Sequence, residues 1–217
     1  MTNAEILRHV DHTLLQAVAT WDEIKTLCDE AVANQTASVC VPPSYIKRIA
    51  DTYGPAVNIC TVVGFPLGYQ TTAAKVCEVE QAIADGANEV DMVINLGDVK
   101  NGEFDKVTAE IKALKQAAGN HILKVIIETC YLTEAEKIEL CHCVTEGGAD
   151  YIKTSTGFGT AGAKIEDIRL FKQHIGPAVK MKAAGGVRTK EDLELFLAEG
   201  CERIGTSSAL KILQAAD

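Results

Sequence analysis

The chain has 217 residues, 47% of them hydrophobic and 24% charged. That balance excludes a disordered or collagen-like protein. With aromatics at 5%, Val, Ile, Leu and Ala must fill most of the core, as in α/β proteins with buried parallel strands. The formal charge of −9, from 21 basic and 30 acidic residues, lacks the basic footprint of a nucleic-acid binder, although it leaves room for a local anion site.

In chain order, Glu5, Arg8 and Asp11 stand where a signal peptide would need an apolar run, so a cytoplasmic location is expected. No stretch approaches 18 uncharged apolar residues, and no membrane span is expected. HVDHTLL supplies an opening strand at Val10 to Leu14. One pattern then recurs: an amphipathic helix, a Gly or Asn, and a short β-branched strand. The junctions are VANQTASVCV, TYGPAVNICTVV, ADGANEVDMVI, AAGNHILKVII, EGGADYIKT, HIGPAVKMKA and AEGCERIGT, punctuated at Asn34, Gly54, Gly86, Gly119, Gly147, Gly176 and Gly200. Gly or Asn belongs there because helices commonly end in the left-handed conformation. Seven junctions after an opening strand make eight strands alternating with helices in one domain over residues 1–217, which points to a closed parallel barrel. An open doubly wound sheet is the competitor, but no GxGxxG follows the first strand.

The eight cysteines, at 28, 40, 60, 77, 130, 141, 143 and 201, are spread through apolar segments and read as free, mostly buried thiols. Cys141-His142-Cys143 has no second corner at zinc-site spacing, and helical periodicity explains Cys141 and Val144 as packing residues. His9, His12, His121, His142 and His174 show no metal-ligand cluster, and no metal is expected.

In such barrels the reactive groups lie at the C-terminal ends of strands, here Asp11, Cys40, Asp91, Glu128, Lys153 and Lys182. Period-2 alternation turns Glu89, Asp91 and Val93 inward and Val90, Met92 and Ile94 toward the helices. It likewise turns Tyr151, Lys153, Lys180 and Lys182 inward. Buried charges are costly unless paired or catalytic. One reading is a structural ion set, Asp91 and Glu128 against Lys124, Lys153 and Lys182. The other is chemical: an adjacent ammonium and desolvation favour a neutral lysine that attacks a carbonyl, with a carboxylate and second lysine moving protons. Spacing does not choose between Lys180 and Lys182: Lys180 lies one layer lower on the same face, within reach of the bottom rim. AAGGVRTKEDLE and RIGTSSALKIL each run from a strand through glycine into a helix, with Thr189 and Asp192 spaced as a capping pair. They read as a phosphate cradle, with Arg188 supplying charge; tight turns are the alternative.

The runs GFPLG, GANEVDMVINLG, ADYIKTSTGF and VKMKAAGGVRT, in that order, resemble the deoxyribose-phosphate aldolase family, and the resemblance extends from DHTLL to RIGTSS. It implies a (β/α)8 TIM barrel and a class I aldolase free of metal and cofactor. The implied reaction is reversible cleavage of 2-deoxy-D-ribose 5-phosphate to D-glyceraldehyde 3-phosphate and acetaldehyde, in deoxyribonucleotide catabolism. By the same resemblance Lys153 matches the Schiff-base lysine, while Lys182 and Asp91 match the proton-transfer pair. Cys40 matches a position at the substrate, where a core thiol is an equal reading, and Asp11, Thr13 and Thr154 are expected to bind substrate beside it. Gly157, Gly185, Gly186, Arg188, Gly205, Ser207 and Ser208 match the phosphate loops. Two departures stand out. Position 158 is Phe where some members carry a phosphate-holding lysine. The chain closes KILQAAD, without the C-terminal tyrosine of some members, so slower turnover or a water relay through Asp11 and Thr13 is expected. The expected partners are a phosphorylated sugar and an aldehyde, with no nucleic acid or membrane, and a homodimer is the expected assembly. The rival functions are a non-covalent phospho-sugar isomerase or epimerase, a Schiff-base aldolase of another substrate, and an inactive barrel that binds a phosphorylated ligand.

Overall fold

Each β-branched segment of the sequence becomes one stave of a barrel. In the computed structural model, which describes residues 1–215, the order is α1 (Asn3–Leu7), β1 (Val10–Thr13), α2 (Trp21–Asn34), β2 (Ser38–Val41), α3 (Ile46–Tyr53), β3 (Ile59–Val63), α4 (Thr72–Ala84), β4 (Glu89–Val93), α5 (Leu96–Lys100) and α6 (Phe104–Ala118). It continues with β5 (Ile122–Ile126), α7 (Glu134–Glu146), β6 (Tyr151–Lys153), α8 (Ile165–His174), β7 (Lys180–Ala184), α9 (Lys190–Ala198), β8 (Cys201–Thr206) and α10 (Ala209–Gln214). The strands pair in parallel in sequence order, and β8 closes on β1. This is the expected (β/α)8 barrel. The end of the KILQAAD segment, residues 216–217, lies outside the described residues.

Two periodicities separate the core from the lumen. Val90, Met92, Ile94, Ile152, Met181 and Ala183 join the buried layer between strands and helices, which leaves Asp91, Lys153 and Lys182 facing inward as alternation requires. Threonines begin several of the surrounding helices: Thr2, Thr20, Thr133 and Thr189 all form capping boxes, the last with Asp192 as its spacing indicated.

The junctions differ from expectation at three places. The left-handed residue after α2 is Gln35, not Asn34, which is still helical. After α7 it is Gly148 rather than Gly147. Gly147 answers to space instead: a Cβ there would lie 2.4 Å from Ile111 Cγ2. Gly176 is a similar case, since α8 ends at His174 with Ile175 as an extended cap, and a Cβ on Gly176 would lie 2.4 Å from Thr145 Cγ2.

Strand β8 carries an irregularity. Its pairing with β7 shifts register between Met181 and Lys182, so Met181 faces Cys201 but Lys182 faces Arg203. Cys201 and Ile204 both belong to the outer layer. The intervening shift turns Arg203 toward the lumen, where its guanidinium reaches Asp11 and Glu89.

Candidate active site

The lumen is filled by charge. Asp91, from the middle of β4, is fully buried and accepts four hydrogen bonds. Its Oδ2 takes Lys153 Nζ and Lys182 Nζ, each at 2.7 Å. Its Oδ1 takes Lys124 Nζ at 2.9 Å and the Cys60 thiol at 3.2 Å. Asp11 on β1 forms the second anchor, with Lys182 Nζ 2.5 Å from Oδ2, Arg203 Nη1 2.6 Å from Oδ1, and Ser38 Oγ donating at 2.8 Å. Glu89 holds Lys124 at 2.5 Å and takes both ends of the Arg203 guanidinium.

Burial alone would push these carboxyls up, but the cations around them win. Lys124, Lys153 and Lys182 hold Asp91 well below the usual carboxylate range. Lys182, Lys124 and Arg203 do the same for Asp11, and Lys124 with Arg203 for Glu89. Conversely, burial penalises the Lys182 ammonium, yet Asp11 and Asp91 outweigh that cost and hold its proton on.

Counting charges shows what the cluster can do. Lys124, Lys153, Lys182 and Arg203 face Asp11, Glu89 and Asp91, four cations against three carboxylates. Loss of one proton would make the cluster neutral. Lys124, Lys182 and Arg203 each touch two or more carboxylates. Among the described residues, Lys153 touches Asp91 alone of the carboxylates, and it is the lysine that opens onto a cavity. An amine there, backed by an ammonium on the same carboxylate oxygen, is suited to carbonyl addition with proton return.

That cavity, about 460 Å³, sits at the C-terminal mouth of the barrel and is lined by the loop residues of the sequence reading: Gly157, Gly185, Gly186, Arg188, Gly205, Ser207 and Ser208. The loops after β6 and β7 are stitched together by Ala163, whose amide donates to Ala184 O and Gly185 O at 3.1 and 3.0 Å. Gly162 permits this approach, because a Cβ there would lie 2.3 Å from Gly185 O. The Arg188 amide is already committed to the Asp192 carboxylate at 3.0 Å and the Ser208 amide to Thr206 Oγ1 at 3.2 Å, so neither amide is free to bind an anion. Phe158 lines it as well, 55% exposed, its ring edge-on to Phe65.

Not every expected residue comes to the cavity. Thr13 lines it and donates to Asp11 O at 2.7 Å, whereas Asp11 lies below in the charged layer. Thr154 is fully buried, its hydroxyl held between Ala184 O and Ala184 N; it ties β6 to β7 and does not border the cavity. Cys40 is fully buried in a small lumen cluster with Cys60 and Val62, under Leu15 and Phe65. Glu128 is not part of the ion set: it follows β5 with φ of 52°, and this turn aims its carboxylate at Thr156 N and Oγ1. Lys180 reaches the bottom rim, where it is exposed and pairs with Glu202 at 2.8 Å, so Lys182 is the lumen lysine of β7.

Arg203 and Cys60 were not singled out by sequence reasoning. The same alternation finds Cys60, since Ile59 and Val63 hold the outward phase of β3; Arg203 is hidden by the register shift. Among the described residues, two groups place metal-ligand types of atom within 4.8 Å of one another, Cys40 with Cys60 and Asp91, and Asp11 with Cys60 and Glu89. Their carboxylates are already engaged by ammonium and guanidinium groups, which a dication would have to displace.

Residues 6–215 match the family model described as DeoC/LacD family aldolase. A deoxyribose-phosphate aldolase of Clostridium botulinum (strain Alaska E43 / Type E3) is 68% identical over 99% of this chain and 97% of that protein. A solved structure from Coccidioides immitis superposes with a TM-score of 0.95 at 38% identity, covering 100% of this chain and 87% of the other. The tetrameric deoxyribose phosphate aldolase from Aeropyrum pernix gives 0.89 at 29% identity, covering 99% and 92%.

Proposed function

This chain belongs to the DeoC/LacD aldolase family, and from that premise we propose that it is a deoxyribose-phosphate aldolase cleaving 2-deoxy-D-ribose 5-phosphate through a lysine Schiff base. The observation that carries the reading is the single Asp91 oxygen shared by Lys153 and Lys182 at 2.7 Å each, with Lys153 and not Lys182 bordering the cavity.

The open-chain sugar enters with its phosphate toward the glycine and serine loops after β6, β7 and β8 and its aldehyde toward Lys153. The neutral Lys153 amine adds to C1. The resulting carbinolamine loses water, with the Lys182 ammonium donating and Asp91 passing the proton between the two amines. The iminium withdraws electrons from the C2–C3 bond. Loss of the C3 hydroxyl proton, through an ordered water to the Lys182 amine left neutral by the dehydration, breaks that bond and releases glyceraldehyde 3-phosphate. The enamine left on Lys153 takes a proton at its terminal carbon, and hydrolysis of the imine frees acetaldehyde. Lys182 keeps its contacts with Asp11 and Asp91, and the ammonium re-formed on it in the cleavage step supplies the proton that the enamine carbon takes up.

Phe158 contributes no charge at the mouth, so phosphate recognition falls on the glycine loops, Ser207, Ser208 and Arg188. Cytoplasmic location accords with the finding that no helix of the described residues is long and apolar enough to cross a membrane. A homodimer and a tetramer like that of the Aeropyrum protein are the two assemblies to separate by sedimentation equilibrium.

Reduction with borohydride in the presence of acetaldehyde tests the chemistry, because it fixes an imine as a stable amine. The expected result is one ethyl group per chain, on Lys153. Diffuse labelling of surface lysines with Lys153 unmodified would point instead to a non-covalent phospho-sugar enzyme or an inactive phosphate-binding barrel.

A further inference from the structure

Cys40 on β2 and Cys60 on β3 are direct partners in the parallel ladder. Val39 and Val41, on either side of Cys40, and Ile59 and Val63, on the alternate positions of β3, pack into the outer layer, so both thiols point into the lumen. The two sulfurs and an Asp91 oxygen lie within 4.8 Å of one another. Neighbouring strands run about 4.8 Å apart, inside the Cα separation of roughly 4.4–6.8 Å that a disulfide accepts. The other cysteines have different surroundings: Cys28, Cys141, Cys143 and Cys201 pack in the outer layer, Cys77 is exposed and Cys130 half-buried.

We propose that Cys40 and Cys60 form an oxidisable dithiol, which a peroxide converts to a disulfide that disables the charged cluster and which a thiol reductant restores. The two sulfurs are unequal, as attacking and resolving thiols need to be. The Cys60 side chain beside it outweighs burial and, with Lys182 and Lys153 nearby, holds the Cys40 thiol below its ordinary pKa. Burial pushes the Cys60 thiol well up. The approach is through the active-site cavity, because Leu15 both lines that cavity and covers the thiol pair.

In the first step the O–O bond of the peroxide breaks, a Cys40 Sγ–O bond forms, and one water leaves, giving a sulfenic acid. Cys60 Sγ then displaces the hydroxyl, the S–S bond forms, and the thiol proton departs with the hydroxyl as a second water. Two electrons pass from the sulfurs to the peroxide. The cost to the site follows from what Cys60 already does. It donates to Asp91 Oδ1 at 3.2 Å and accepts from Lys124 Nζ at 3.3 Å. Drawing Cys60 toward Cys40 takes a donor from the carboxylate that also holds Lys153 and Lys182, so the pair should lose its geometry with the bond formed.

The effect on rate rests on the aldolase reading, whereas the bond itself does not, and the experiment reads both. The full chain is titrated with hydrogen peroxide, remaining thiols are alkylated, and the protein is digested after Lys, Arg and Glu. Cleavage after Glu30 separates Cys28 from Cys40, leaving peptides 31–47 and 49–75. The expected product joins these two peptides at a mass two hydrogens below their sum. The aldol cleavage rate should fall in proportion to the linked fraction and return with dithiothreitol. Cys60→Ala should lose the linked product and keep its own untreated rate at the same peroxide dose. Inactivation with no linked peptide, Cys40 oxidised beyond sulfenic acid beside an alkylated Cys60, or a linked pair at unchanged rate would each overturn the proposal. A linked pair in a chain with no aldolase activity before treatment would instead overturn the proposed function.

Discussion

Among the lumen cations, the number of carboxylate partners sets how each lysine should respond to replacement. Lys153 has one partner and borders the cavity. Lys153→Leu therefore removes the nucleophile while Asp91 keeps Lys124 and Lys182; turnover should fall to background with the thermal unfolding midpoint little changed. Lys182→Leu leaves Asp91 with Lys124 and Lys153 and Asp11 with Arg203, so the barrel should fold. The loss of its proton donor should cost about 10²–10⁴-fold in kcat. Lys180 pairs with Glu202 at the exposed rim, and Lys180→Leu should alter stability by about 0.5 kcal/mol or less with no loss of rate. Steady-state cleavage assays and thermal melts on the three variants check this order. A Lys180 variant as damaged as the Lys182 variant would contradict it.

At the scale of elements, α4 and α6 meet through a buried ion pair. Lys75 Nζ lies 2.9 Å from Glu110 Oε2 and donates to Val93 O at 2.8 Å, at the C-terminal end of the strand that carries Asp91. Burial pushes the lysine down and the glutamate up, so each charge depends on its partner. Lys75→Met should cost about 3–5 kcal/mol, because it strands Glu110. Lys75→Met with Glu110→Leu should recover all but about 1 kcal/mol, the share of the lost Val93 hydrogen bond. Urea unfolding of both variants is the measurement, and a single variant within 1 kcal/mol of the parent would refute the dependence. Lys75, Val79 and Ala82 fall on one helical stripe, a signal the sequence carried. The inward faces of β4, β6 and β7 were legible for a comparable reason, since strict alternation runs through them. In β8 the register shift reverses the phase at Arg203, and no residue type marks that shift. Glu128 misled because its left-handed backbone lies past the strand end, where alternation no longer governs direction. The family motifs placed Lys182 over Lys180, a choice that period 2 could not make because both lie on one face.

For the whole molecule, a net charge of −9 conceals a lumen where cations outnumber carboxylates, and that lumen governs acid stability. Asp11, Glu89 and Asp91 all have folded pKa values below their ordinary ones. Such carboxylates add stability above the unfolded values of about 4, and lose it progressively as pH falls from there toward the folded values. Lys124 and Lys182 are shifted the other way, so their contribution is fully present below about 10.4 and declines only as pH rises through their folded values. A stability plateau between about pH 5 and 10 follows from these groups, with a steep acid limb. In Glu89→Gln the amide oxygen can still accept from Arg203, but one titrating group leaves the acid limb. The slope of unfolding free energy against pH between about 3 and 4 should then fall by up to about 1.4 kcal/mol per pH unit, one proton's worth. Urea denaturation across pH 3–7 measures this directly; equal slopes in the two proteins would mean that Glu89 is not held ionised by Lys124 and Arg203.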